Sequence, residues 1–94
     1  MKRRIHAYVE GRVQGVFFRD FARREAYPLS VKGWVRNMSD GRVEVVAEGE
    51  EENLKNFVES LKKGPPLAIV TDVEVEWEEY RGEFSDFRIK SYWD

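Results

Sequence analysis

Apolar and polar residues alternate near the N-terminus. Ile5, Ala7 and Val9 stand against His6, Tyr8 and Glu10, the period of a strand with one buried face. The period then lengthens: Phe18, Phe21, Ala22, Ala26 and Leu29 recur at helical spacing, and Pro28 predicts that this helix ends near Ala26. Val31, Gly33 and Val35 alternate with Lys32, Trp34 and Arg36, and the same period returns at Val43, Val45 and Ala47. The turn residues Ser39-Asp40-Gly41 lie between these two runs and predict a hairpin.

A second helical stripe follows, made by Leu54, Phe57, Val58 and Leu61. Glu50, Glu51 and Glu52 precede it and Lys62 and Lys63 close it, as the helix dipole favours; Gly64 suits the cap. Pro65-Pro66 breaks the chain, after which Val73, Val75 and Trp77 alternate with Asp72, Glu74 and Glu76, and Phe87 and Ile89 predict a short last strand. The order is β-α-β-β-α-β with a late β. Because both helices are amphipathic and the strands alternate, both helices should cover one face of a mostly antiparallel sheet. That is an α+β, ferredoxin-like βαββαβ sandwich with a short extra C-terminal strand. No repeat or linker-like stretch divides residues 1–94, so one domain is expected. This arrangement hosts many chemistries and decides none.

Composition narrows the choice. Charged residues make up 36% of the chain, yet the net charge is −2, which argues against a broad nucleic-acid or membrane surface. There is no cysteine, so thiolate metal sites, disulfides and cysteine nucleophiles are excluded. The basic start MKRR is followed by no apolar signal region, and no run approaches the roughly 20 residues of a membrane span. A cytoplasmic chain is expected.

The stretch GRVQGVFFR, residues 11–19, connects the first strand to the first helix in this reading. It ends in Arg19, a cation in a first helical turn, where the dipole disfavours it. Glycines permit positive φ, so Gly11 to Phe18 can turn main-chain N–H groups into one concavity at the helix start. An anion seated there would make Arg19 welcome. The stretch has neither Walker-loop nor dinucleotide-binding spacing. From spacing alone, a plain β–α connection followed by a solvated arginine accounts for it equally well.

GRVQGVFFR, followed after a helix by VKGWVRNMSDGRVEVVAEG and later by KGPPLAIVTDVEVEW, closely resembles the acylphosphatase family from about Val9 to Ile89. The resemblance implies an α/β sandwich that hydrolyses the carboxyl–phosphate bond of small acyl phosphates, giving a carboxylate and inorganic phosphate. It implies that Arg19 binds phosphate together with the amides of Gly11, Arg12, Val13, Gln14, Gly15, Val16, Phe17 and Phe18. Asn37, closing the W-V-R-N stretch, would then position the attacking water. Inorganic phosphate or sulfate would be alternative occupants of the loop.

The chemistry is consistent with that assignment. An acyl phosphate already has a good leaving group, so charge stabilisation and aim matter more than a strong general acid. No Asp/Glu/His set has metal-ligand spacing, so no metal and no cofactor are expected, and a monomer is expected to suffice. His6 is the lone histidine, on the Tyr8/Glu10 face, and is expected to be structural. Glu50 to Glu52 read as helix-end charge, and Glu74, Glu76, Glu78 and Glu79 as a solvated strand face and its continuation.

Two departures from the family pattern stand out: Ser30 replaces a glycine after the first helix, and Ser91-Tyr92-Trp93-Asp94 extends past the usual end. Phe17 lines the mouth of the site, where it would select apolar acyl groups, or packs against the fold. Rival readings are a phosphate-binding module without turnover, a domain handling carbamoyl phosphate within a larger protein, and an RNA-binding domain stacking bases on Trp34 and Tyr8. The chain's length argues against the second. The acidic balance and the lack of an RNP-type run argue against the third.

Overall fold

The computed structural model describes residues 1–91; Tyr92, Trp93 and Asp94, most of the C-terminal extension, lie outside them. The alternating runs become β1 (Lys2–Arg12), β2 (Lys32–Asn37), β3 (Val43–Glu50), β4 (Ile69–Glu79) and β5 (Phe87–Lys90). The two helical stripes become α1 (Phe18–Ala26) and α2 (Glu51–Lys63). The sheet order is β4-β1-β3-β2-β5, antiparallel except for the β2–β5 pair. The ferredoxin-like α+β arrangement and its short final strand are as expected.

Both helices cover one face. From α1 come Phe18, Ala22 and Ala26, and from α2 come Leu54, Phe57, Val58 and Leu61, all buried against Ile5, Ala7, Val9, Val35, Val43, Val45 and Ala47. A buried leucine, valine or phenylalanine contributes roughly 1.5–3 kcal/mol. Gly64 closes α2 at φ 70°, its N–H donating to the Ser60 carbonyl at 2.9 Å. The acidic start of α2 works through charge alone, since Glu50 makes no side-chain cap; it takes the N-terminal amine at 2.9 Å instead. Val73 and Val75 of β4 pack on the core, but Trp77 stays 38% exposed under the Arg3 guanidinium.

The opposite face is less open than the alternation predicts. β3 is buried along Val43 to Gly49 on both sides, with Glu44 and Glu48 among its buried residues. Glu48 accepts the main-chain N–H groups of Arg81, Gly82 and Glu83 at 2.7, 3.2 and 3.2 Å, and Arg4 bridges Glu48, Glu78 and Glu83. Glu78 is therefore a half-buried partner of the buried Arg4, whereas Glu74 and Glu76 are solvated as expected.

β1 also reaches further than the alternation predicts. A bulge after Glu10 lets Gly11 and Arg12 continue pairing, with Val70 and Ile69 of β4. Gly11 has φ 123°, and a Cβ there would lie 2.1 Å from the Ile69 carbonyl oxygen, so only glycine lets β4 approach this closely.

Ser30 carries the cost of replacing a glycine. Its φ of 54° is left-handed, which costs a residue with a Cβ roughly 1–2 kcal/mol. Ser30→Gly is expected to stabilise the fold by about 0.5–1 kcal/mol, after the added unfolded-state entropy, and to raise Tm by a few degrees. Calorimetry decides this; a lower Tm would mean that the Ser30 hydroxyl matters more than its backbone strain.

Candidate active site

The connection from β1 into α1 runs from Val13 to Phe17. Val13 and Val16 sink into the core at 1% and 5% exposure, pinning the loop from below. Gln14 pins it sideways: its amide nitrogen donates to the main-chain carbonyls of Met38 and Arg42 at 2.7 and 3.0 Å. Those carbonyls belong to the β2–β3 turn, which is closed by Met38 N–H to Arg42 O at 2.8 Å. One glutamine thus fixes the loop to the segment that follows Asn37.

Two residues of the loop are left-handed, Gly15 at φ 74° and Phe17 at φ 67°. Such alternation turns consecutive N–H groups toward one side. Among the described residues, no main-chain carbonyl takes a hydrogen bond from the N–H groups of Gly15, Val16, Phe17, Phe18 or Arg19. Phe17 is the residue before α1 and offers no side-chain cap, so the positive end of the helix lacks the usual serine or aspartate. Arg19 follows as the second helical residue, half-buried. Among the described residues no carboxylate forms an ion pair with it; Asp20 instead pairs with Arg24 at 3.2 Å and Arg23 at 3.4 Å.

Asn37 is the last residue of β2, opposite Val43 of β3. Its Oδ1 is buried and receives no hydrogen bond from the described protein groups. A buried acceptor without a donor costs about 1–3 kcal/mol, so folding keeps it there for little internal gain. Arg19 and Asn37 line one cavity of about 320 Å³, together with Val13, Gly15, Phe17, Phe18, Asp20 and Ile89.

Comparison with known proteins identifies the family. Residues 5–89 fit the acylphosphatase family model. The chain belongs to the acylphosphatase family. A protein of Pyrobaculum islandicum named acylphosphatase is 55% identical over 87 residues, covering 92% of each chain. The crystal structure of the Bacillus subtilis acylphosphatase superposes with a TM-score of 0.91 at 43% identity, covering 96% of this chain and 99% of that one. The fold also matches 12% of a HypF chain from T. kodakarensis, with a TM-score of 0.81 and 40% identity over 97% of this chain. The family and the enzyme class expected from the motifs both stand.

Seen as an acylphosphatase, the chain sorts its predicted site residues into two groups. Gly15, Phe17, Phe18, Arg19, Val13 and Asn37 meet at the cavity. Gly11 and Arg12 do not: they belong to β1, because β4 continues to pair with them beyond the bulge. Gln14 and Val16 hold the loop and stay off the cavity wall, their side chains being used for anchoring. Asp20 and Ile89 were missed. Asp20 could have been found as the carboxylate next to Arg19, whereas Ile89 reaches the site only because β5 pairs parallel to β2. A larger hollow of about 770 Å³, beside Arg23, Tyr27 and Asp86 at the other end of α1, holds none of the predicted residues.

Among the described residues, no group of three or more His, Asp or Glu side chains is placed to hold a metal ion. His6 is held within the sheet: its Nε2 lies 2.6 Å from Glu44, and its ring leans on Tyr8 at 4.9 Å. Burial resists the Glu44 charge, but His6 and the Arg36 Nε at 2.6 Å overcome it and hold the carboxyl below its usual range. A depressed carboxyl stabilises the fold above its unfolded pKa and loses that contribution as pH falls through the folded value. Glu44→Gln is therefore expected to lower stability by about 1–3 kcal/mol at pH 7. The gap to wild type should close in acid below the ordinary carboxylate range, as denaturant melts at several pH values will show.

Proposed function

We propose that this acylphosphatase grips its substrate's phosphoryl group between the Arg19 guanidinium and the loop amides from Gly15 onward, while Asn37 aims the attacking water. The observation that carries this is the meeting on one cavity of a cation with no described carboxylate partner and a buried acceptor with no described protein donor. Arginine stays charged and presents a planar fork to phosphoryl oxygens. The asparagine amide can accept from a water and donate to phosphate together. Placing the nucleophile in this way raises its effective concentration.

The water oxygen attacks phosphorus in line. The bond from phosphorus to the acyl oxygen breaks, and its electron pair leaves on the carboxylate, a weak base that needs no proton. The water's proton passes to a phosphoryl oxygen of the substrate. The enzyme works without a metal or cofactor, and as a monomer, since one chain supplies every group invoked.

The test is phosphate release from acetyl and benzoyl phosphate by the purified protein with a chelator present, alongside light scattering. Rapid release by a monomer is expected. Phosphate binding without turnover would make the chain a phosphate-binding module instead. Turnover that stops with chelator and returns with a divalent ion would overturn the metal-free route. A proton inventory and pH–rate profile should show no essential base titrating near neutrality.

A further inference from the structure

The two neighbouring phenylalanines of the loop have opposite fates. Phe18 is 1% exposed and forms part of the core, its ring 5.9 Å from that of Phe21. Phe17 is 72% exposed, stacks on no other described ring, and sits in a left-handed conformation that glycine or asparagine adopts far more readily. Neither burial nor backbone geometry accounts for a phenyl group at this position. Its place in the site does: Phe17 borders the same cavity as Arg19 and Asn37.

That cavity, about 320 Å³, is roughly ten times one water's share of liquid volume, and a phosphoryl group fills only part of it. Of its polar members, Arg19, Asn37 and the loop amides are already engaged with the phosphoryl group, and Asp20 is paired with Arg23 and Arg24. Of its apolar members, Val13 and Phe18 are buried in the core, while Phe17 and the half-buried Ile89 have no role in that contact. The rest of an acyl phosphate is the acyl group, which must lie beyond the phosphoryl oxygens toward the mouth. An exposed aromatic face there offers offset or edge contacts to a planar or extended apolar group, and little to a methyl.

Resting on the reading above, we infer that Phe17 is a specificity residue, favouring acyl phosphates with aromatic or long apolar acyl groups over acetyl phosphate. Its side chain contacts the leaving carboxylate's substituent and takes no part in bond breaking. Ring contacts of this kind correspond to a selectivity of up to about tenfold.

The experiment compares kcat/KM for benzoyl and acetyl phosphate in wild type, Phe17→Asn, Phe17→Gly and Phe17→Trp. Asparagine and glycine suit the left-handed backbone, so the loop geometry is kept. The benzoyl-to-acetyl ratio is expected to fall about five- to tenfold in the Asn and Gly variants and to persist in Phe17→Trp. A ratio within twofold of wild type in all three would overturn the inference. Calorimetric binding of benzoylphosphonate and acetylphosphonate asks the same question without turnover. If wild type hydrolyses neither phosphate, the hydrolase reading fails; a lost preference for benzoylphosphonate in Phe17→Asn would still uphold the Phe17 contact, and an unchanged preference would end it.

Discussion

Arg19→Ala is expected to lower kcat/KM for acyl phosphates by about a thousandfold or more, with no loss of stability. A guanidinium fork on phosphate makes at least two charge-assisted hydrogen bonds, each contributing roughly 1.5–3 kcal/mol. Some 4 kcal/mol less transition-state stabilisation corresponds to about three powers of ten in rate. The fold gives a separate signal. Arg19 lies in the first turn of α1, where a cation opposes the dipole by about 0.3–1 kcal/mol, and no described carboxylate pairs with it. Removing it should leave Tm unchanged or slightly raised. Arg19→Lys keeps the charge and loses the fork, so it should recover only part of the rate. Inorganic phosphate should also bind Arg19→Ala more weakly. Near-normal kinetics in Arg19→Ala, with phosphate still bound, would remove the arginine from the mechanism.

How far such a site could be read from the chain differs by residue. The elements themselves were legible because period and punctuation agreed: Pro28 closed α1 at Ala26, and Ser39-Asp40-Gly41 made the turn after β2. The departure at Ser30 was legible too, as a serine where the family has a glycine, but its strain was seen only in the positive φ of the fold. What could not be read were interactions that local periodicity does not encode. The bulge after Glu10, which moves Gly11 and Arg12 out of the loop and into β1, exists because β4 returns alongside them from residue 69. The buried state of Glu44 and Glu48 depends on Arg4, His6, Arg36 and the loop at residues 81–83, which distant strands bring together. Ile89 joined the cavity through a parallel pairing that alternation alone does not specify. Arg19 and Asn37, by contrast, were named from motifs, and the fold places both on one cavity although they stand eighteen positions apart in sequence.

That convergence makes Asn37 the more discriminating of the two residues to change. Asn37→Ala is expected to reduce kcat by about 10²–10³-fold with a KM change of only a few-fold, because aiming water matters in the transition state more than in the ground state. Stability should not fall with activity. The Oδ1 is buried without a described protein donor, so its removal takes away an unpaired group whose burial costs about 1–3 kcal/mol. A structural asparagine would behave in the opposite way, losing stability and activity together. Asn37→Asp sharpens the test: it preserves shape but sets a carboxylate against an anionic phosphoryl group, and should bind substrate more weakly than Asn37→Ala near neutrality. As pH falls through the carboxylate range the new acid becomes neutral, and part of the lost affinity should return, a rise that neither wild type nor Asn37→Ala shows. If Asn37→Asp shows no such acid recovery and Asn37→Ala melts early, the asparagine only closes the end of β2 and the water is held by another group.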